Sequence, residues 1–280
     1  MIDKLYIPTY RRVDKQITFD GLPEKWQKKT VLLTDKQDTD ALLKLGYPAV
    51  LCPAQGSLAR VRNWIMAEAG DTKYGVLDDD LQEFLYTERP STRENVRLVN
   101  SPISGSRLEP GYEDHFDVFM DWVDKTLDEV VTCGAQTTWI PPFEKDIDEC
   151  WRQSGNHFYN GATLPKELID YEAVHCAEDF YFILQLLTHG YKNRISHRWR
   201  VRPSNTADAG GCDEYRTIEK HNESMRELKD LFPEFVTLKE KIAKVGAWGG
   251  VPKLAANIQW KKAYKSSVKV NEFNLEDFFA

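Results

Sequence analysis

Within its first 85 residues the chain alternates short apolar runs with amphipathic stretches, punctuated by glycine and proline, and this alternation restricts it to a layered α/β fold. Leu5-Tyr6-Ile7-Pro8, Thr30 to Thr34, Ala49 to Cys52 and Tyr74 to Leu77 have the length and the branched or aromatic content of buried strands. Between them the spacing predicts a helix over Asp38 to Leu45, ended by Gly46 and Pro48. A second helix starts at Ser57, a capping residue, and sets Leu58, Val61, Ile65 and Ala69 on one face before Gly70. Strands joined through helices pair in parallel, and ligands bind at the carboxyl ends of such strands.

Downstream, Phe116, Phe119, Met120, Val123, Leu127 and Val130 recur at helical spacing after Asp114 and predict a helix packed on the sheet. Val131 to Cys133, Thr137 to Ile140 and part of Phe158 to Leu164 are strand candidates. A helix from Glu178 buries Phe180, Ile183, Leu184 and Leu187 and ends at Gly190, and Lys192 to Arg202 follows as a strand. Helices are expected over Glu214 to Leu231 and Pro233 to Val245, and residues 87–113, rich in Ser, Arg, Pro, Gly and Asn, read as a loop. A chain of 280 residues buries one substantial core, and 41% hydrophobic with 29% charged residues is ordinary for a soluble protein. No apolar run is long enough to span a bilayer, and the first residues lack a secretion signal. Five scattered cysteines, none in a Cys-x-x-Cys pair, suit a reducing cytoplasm and exclude a zinc site or disulfide frame.

The fourth strand ends in Asp78-Asp79-Asp80. Adjacent carboxylates repel one another and are tolerated in water or beside a cation. Asp80 is the first candidate ligand for Mn²⁺ or Mg²⁺ and Asp78 a ribose or outer partner, while Asp79 points to the other face if the strand alternation continues. Mg²⁺ needs few protein ligands when phosphates complete its shell. Around the triplet, Ile7-Pro8-Thr9-Tyr10-Arg11-Arg12 closes the first strand, Leu33-Thr34-Asp35 the second, and Gly56 to Asn63 opens a helix.

In that order and spacing the chain resembles the GT-A glycosyltransferases. Ala59-Arg60-Val61-Arg62-Asn63-Trp64, Leu77-Asp78-Asp79-Asp80-Leu81, Glu178-Asp179 and Asn205 to Cys212 resemble, more narrowly, the TET/JBP-associated glycosyltransferases, phage enzymes inferred to glycosylate hydroxymethylated pyrimidines in DNA and related to the J-base glucosyltransferase. The resemblance implies a Rossmann-like GT-A fold, a mixed, mostly parallel sheet flanked by helices, with helical C-terminal additions. It implies a catalytic domain over 1–205, with a nucleotide-sugar half at 1–85 and an acceptor half at 112–205, and a helical extension over 206–280 packed on it. A UDP-sugar such as UDP-glucose is the expected donor, contacted by Pro8, Thr9, Arg11, Asp35, Arg60, Arg62, Asn63, Asp78 and Asp79. The metal falls to Asp80 and Asp78, with His197 as a late ligand. Asp179, with Glu178, is the expected base of an inverting hexosyl or pentosyl transfer, although acids at a helix start also serve as plain N-terminal charges. Asn205, Gly210 and Gly211 belong to a loop expected to close over the site. A phage enzyme of this kind works in the host cytoplasm.

The acceptor is read from Lys192-Asn193-Arg194-Ile195-Ser196-His197-Arg198-Trp199-Arg200-Val201-Arg202, which has no acid among its cations and one aromatic for stacking. Lys192, Arg194, Arg198, Arg200 and Arg202 are therefore candidate DNA contacts, as are the lysines near Trp260 and Tyr264. Alternating arginines that merely solvate a strand face remain the alternative. Three activities follow: transfer to 5-hydroxymethylcytosine or a related base in DNA, transfer to a glycan, protein or small molecule, or a DNA-associated module without turnover.

Overall fold

The computed structural model describes residues 1–54, 56–86, 114–138, 145–204, 216–242 and 249–267. The loop at 87–113 and the expected closing loop with Asn205, Gly210 and Gly211 lie outside these residues. Strands β1 (Lys4–Pro8), β2 (Thr30–Thr34), β3 (Ala49–Leu51) and β4 (Lys73–Leu77) match the expected runs and pair in parallel in the order β3-β2-β1-β4. Beyond β4 the sheet becomes mixed. β8 (Asn156–Asn160) is antiparallel to β4, β6 (Thr132–Thr137) is antiparallel to β8, and β9 (Asn193–Pro203) runs parallel to β6. β5 (Leu81–Tyr86), a strand the sequence reading left unassigned, and β7 (Ile147–Glu149) both pair antiparallel with β9.

Helices cover both faces of this sheet. α1 (Ile17–Gly21) and α2 (Glu24–Gln27) fill the β1–β2 connection, and α3 (Lys36–Lys44) starts at Asp35, whose carboxylate accepts from the Asp38 N–H at 2.9 Å. α4 (Leu58–Ala69) is capped by Ser57 as expected. Its buried side is turned from the predicted one, because Ala59, Arg62, Ile65, Met66 and Ala69 face inward while Leu58 and Val61 are half-buried. α5 (His115–Thr126) begins at Asp114 and packs Phe116, Phe119 and Val123 on the face of the sheet that carries Leu5, Ile7 and Phe158. α6 (Glu178–Thr188) joins α4 on the opposite face against Tyr6, Tyr74, Val76 and Tyr159. This two-sided burial explains why the central strands read as continuous apolar runs.

The C-terminal region departs from the expected pair of helices. α7 (Ile218–Leu231) forms, but 236–242 is a strand, β10 (Val236–Ile242), paired antiparallel along its whole length with β11 (Pro252–Ile258) before α8 (Trp260–Lys265). Lys, Glu and Leu favour helix intrinsically, yet the alternation of Val236 and Leu238 with polar residues lets one ribbon face pack on the core.

Gly161, after β8, sits where a Cβ would meet the Gly70 carbonyl oxygen at 2.3 Å and that of Thr72 at 2.6 Å. Backbone on both sides leaves nothing to yield. Gly161→Ala should cost about 3 kcal/mol in a denaturant melt, whereas Gly21→Ala, with no atom within 4 Å, should stay within about 0.5 kcal/mol.

Candidate active site

The pleat of β4 sorts the acidic triplet. Tyr74 and Val76 lie on the α4 and α6 side and Leu77 on the other, and the alternation continues into the turn. Asp78 faces α4, with Oδ1 3.5 Å from Nη2 of Arg62. Asp79 turns to the opposite side and is buried, accepting from the Thr9 hydroxyl at 2.9 Å and from Arg12. Asp80 accepts at 3.0 Å from the Ser204 hydroxyl, which follows β9, and lies 3.6 Å from Arg12. Thr18 fixes the backbone of the turn, since its hydroxyl donates to the Asp78 carbonyl at 2.6 Å and accepts from the Leu81 N–H at 2.8 Å. The crowding is therefore held by four segments: α4, the end of β1 with its loop, α1 and the end of β9.

Arg62 connects the triplet to the other acidic pair. Only 4% exposed, its guanidinium lies between Asp78 and Glu178, whose Oε1 is 3.7 Å from Nε. The same guanidinium sits over the Tyr171 ring at 5.9 Å. Nε and Nη1 make no hydrogen bond among the described residues. Burial disfavours the charge, but Tyr159, Glu178 and Asp78 together hold Arg62 more basic than usual. Loss of water, then the Asp80, Asp79 and Glu178 carboxylates, pushes Asp78 up to about 7 against the pull of Arg62. The 39% of its side chain that still meets solvent limits that shift. Burial likewise raises Asp79 to about 6 against Arg12 and Thr9, and raises Glu178 against Arg62 with Asp179 adding repulsion. Asp179 is half-buried, and its Oδ1 accepts from the Phe180 N–H at 2.9 Å.

Other expected contacts fall nearby in different roles. Arg11 has a left-handed φ of 58°, donates its N–H to Asp38 at 2.6 Å, and sets its guanidinium 3.6 Å from Asp35. Pro8 ends β1 and Thr9 is engaged with Asp79. Arg60 is exposed and pairs with Glu172 at 2.7 Å. Asn63 clamps the loop before α6, donating to Asp170 at 2.8 Å and accepting from the Tyr171 N–H at 3.0 Å. The sequence reading assigns no role to Arg12 or Thr18, and sets Ser204 only at the head of the expected closing loop. Arg12 did sit in the run that closes β1, but the partners of all three lie more than 50 residues away.

A profile of the TET-associated glycosyltransferases matches residues 3–211. The chain belongs to that family. It is a glycosyltransferase of the GT-A fold. Curated relatives include the β-glucosyl-HMC-α-glucosyl-transferases of Enterobacteria phage T6, 24% identical, and of phage T2, 30% identical; each alignment spans 81% of this chain and 80% of the relative. Among solved structures, Mycobacterium tuberculosis glucosyl-3-phosphoglycerate synthase with Mn²⁺ and UDP is 9% identical with a TM-score of 0.42, covering 91% of this chain and 86% of that one.

In this glycosyltransferase the basic strand is not the open cationic stripe that the sequence suggested. Arg194 pairs with Glu129 at 2.6 Å and Glu149 at 2.9 Å, Lys192 with Glu149 at 3.2 Å, Arg198 with Asp146 at 2.8 Å and Arg202 with Glu83 at 2.9 Å. Arg200 is buried and donates to the carbonyls of Thr137 and Thr138, both at 3.2 Å. Trp199 is buried among Tyr86 and Phe119 rather than offered for stacking. His197 stands seven residues before Ser204 on β9, buried against Asp148 at 3.1 Å, and is not brought to the triplet. Near Trp260, Lys261 also pairs with Asp148, at 3.0 Å.

Removing the Arg62 charge leaves Asp78 and Glu178 without the cation that stands between them. Arg62→Met should lower stability by about 3 kcal/mol at neutral pH and abolish transfer, with Arg62→Lys keeping more of both. Asn63→Ala should cost about 1 to 2 kcal/mol through the lost clamp, read by thermal melting.

Proposed function

We propose that this glycosyltransferase moves a sugar from a nucleotide-sugar, a UDP-sugar such as UDP-glucose, to a hydroxymethylated pyrimidine of DNA, with Mn²⁺ or Mg²⁺ at the triplet. One observation supports the chemistry above the rest: the carboxylates that end β4 are joined through buried Arg62 to the Glu178-Asp179 pair that opens α6. Donor and acceptor groups of a transferase need that proximity. The acceptor reading rests on the phage relatives, whose name joins HMC, hydroxymethylcytosine, with two glucosyl groups. A base that already carries a sugar therefore belongs among the acceptors.

The residues present suit a cation. Asp80 and Asp78 are hard oxygen ligands, and lost water with the neighbouring carboxylates makes a positive neighbour favourable at Asp78; among the described residues no group of three or more His, Cys, Asp or Glu is placed to hold a metal by itself. That donor set fits an ion whose remaining ligands are phosphate oxygens and water. When bound, the ion supplies Lewis-acid stabilisation of the charge that grows on the departing diphosphate. Arg62, whose Nη2 lies 3.5 Å from Asp78, keeps Nη1 without a hydrogen bond among the described residues. Asp35, Arg11 and Thr9 line the strand ends toward the nucleoside, with Asp35 also capping α3. Asp179 takes the proton of the acceptor hydroxyl as its oxygen attacks the anomeric carbon opposite the diphosphate, which inverts that centre. Residues 1–205 form the catalytic unit in this reading and 206–280 an extension upon it. The neutralised β9 is the observation that favours a second reading, in which the acceptor is a glycan, protein or small molecule.

The test offers a panel of sugar nucleotides with plain, hydroxymethylated and already glucosylated DNA, and reads the mass of the released nucleosides. One sugar should be added to a hydroxymethylated or glucosylated nucleoside and none to plain DNA. Transfer to none of these DNAs, with transfer to another acceptor, would move the protein to the second reading. Asp80→Asn and Asp179→Asn should each lower transfer about a hundredfold or more with unchanged melting temperature, and full activity in either variant would remove that residue from the mechanism.

A further inference from the structure

The C-terminal ribbon lies beyond the family-matched segment, which ends at residue 211. Its two faces are sorted by register. Leu238, Leu254, Ala256 and Ile258 pack toward the core. In an antiparallel pair, directly opposed residues share a face. Lys241 stands opposite Lys253, Lys239 opposite Ala255, and Thr237 opposite Asn257. The outer face thus carries Lys239, Lys241 and Lys253 with no acid among those paired positions. Like charges directly opposed are destabilising. Lys239 and Lys241 are exposed and make no ion pair among the described residues, in contrast to the paired cations of β9.

This cationic face leads toward the acidic pair of the active site. Arg216 lies close enough to Lys253 to lower its pKa, after the effect of lost water and ahead of that of Lys241, and also acts on Glu178. Its Nη2 donates to the Cys176 carbonyl at 3.3 Å, and the Cys176 N–H donates to Ser224 of α7 at 3.0 Å. Cys176 is two residues before Glu178. α7 in turn holds the edge of β11, with Asn222 accepting from the Leu254 N–H at 2.8 Å and His221 bonded to its carbonyl at 2.9 Å. One helix therefore ties the ribbon to the loop that presents Glu178 and Asp179.

We propose that the outer face of the β10–β11 ribbon, through Lys239, Lys241 and Lys253, is the docking surface for the phosphodiester backbone of duplex DNA. It rests on the DNA reading of the function. Compact ammonium groups on a ribbon position a backbone without reading bases. At ~3.3 Å per residue the paired strands reach ~20 Å, several phosphate steps along a duplex, and α7 ties β11 to the loop before Glu178. Lysines on an exposed ribbon also block strand addition, and the experiment separates that use from DNA docking.

The full chain and its K239Q/K241Q/K253Q variant are titrated with a plain 20-base-pair duplex (about two helical turns) across a salt series, with transfer kinetics on hydroxymethylated duplex and on the free hydroxymethylated nucleotide. The variant should bind the duplex about tenfold more weakly, with a slope of log affinity against log salt smaller by about two to three. KM for duplex should rise in parallel, while KM for donor and for the free nucleotide stays unchanged. Wild-type slope and affinity in a folded variant would overturn the proposal, including the case in which that variant self-associates, since the lysines then serve only against aggregation. If wild type transfers to hydroxymethylated DNA and the variant does so with the same KM, the ribbon proposal fails while the DNA reading stands. If wild type modifies no DNA, that reading fails, and a wild type that also shows no salt-dependent duplex binding ends the ribbon proposal with it.

Discussion

Arg62 is a buried cation set between acids that belong to two different parts of the chain. Asp78 ends β4 and Glu178 begins α6, and the guanidinium spans both at 3.5 and 3.7 Å. Without it, α6 would present its N-terminal acids directly to the carboxylates that end β4. Such a charge is costly to bury and costly to remove, because Asp78 and Glu178 then lose the cation that stands between them. Its burial also fixes the rotation of α4, which turns Arg62 inward with Ile65 and Met66. The helix then presents Arg60 outward to Glu172 and Asn63 to the loop before α6. The position of Glu178 and Asp179 is thus tied to one side chain on α4.

The same economy of placement holds at the triplet. A strand period of two sends Asp78 and Asp79 to opposite faces, so their repulsion is divided between Arg62 and Arg12. Thr18, from the short helix after β1, closes the turn through its hydroxyl. Ser204 brings the end of β9 to Asp80. Strand β5 then leaves the turn and pairs with β9, which keeps the acidic segment anchored at both ends.

The first half of the sheet was legible because its signals are local. Glycine and proline punctuation, strand-length apolar runs and the capping Asp114 and Ser57 act within a few residues, and β1 to β4 with α3 to α6 follow them closely. The charges were not legible on the same terms. The resemblance makes Arg62 a donor contact, but by helical spacing alone it reads as a surface arginine, and neither reading gives its place between Asp78 and Glu178. The basic run of β9 contains no acid in sequence, yet Glu83, Glu129, Asp146 and Glu149 reach it from three other segments. Residues 236–242 carry helix-forming Lys, Glu and Leu, and only pairing with β11 makes them a strand. Long-range pairing decided each of these, and a single sequence does not display it.

Nucleotide binding provides the most direct test of the claim that the Asp78–Asp80 cluster, held by Arg62, is a cation-dependent donor site. Calorimetric titration of UDP and UDP-glucose into the full chain, with Mn²⁺ present or removed by chelator, should show binding that requires the ion in wild type and is lost in Asp80→Asn. Equal affinity with and without Mn²⁺, retained in Asp80→Asn, would contradict it.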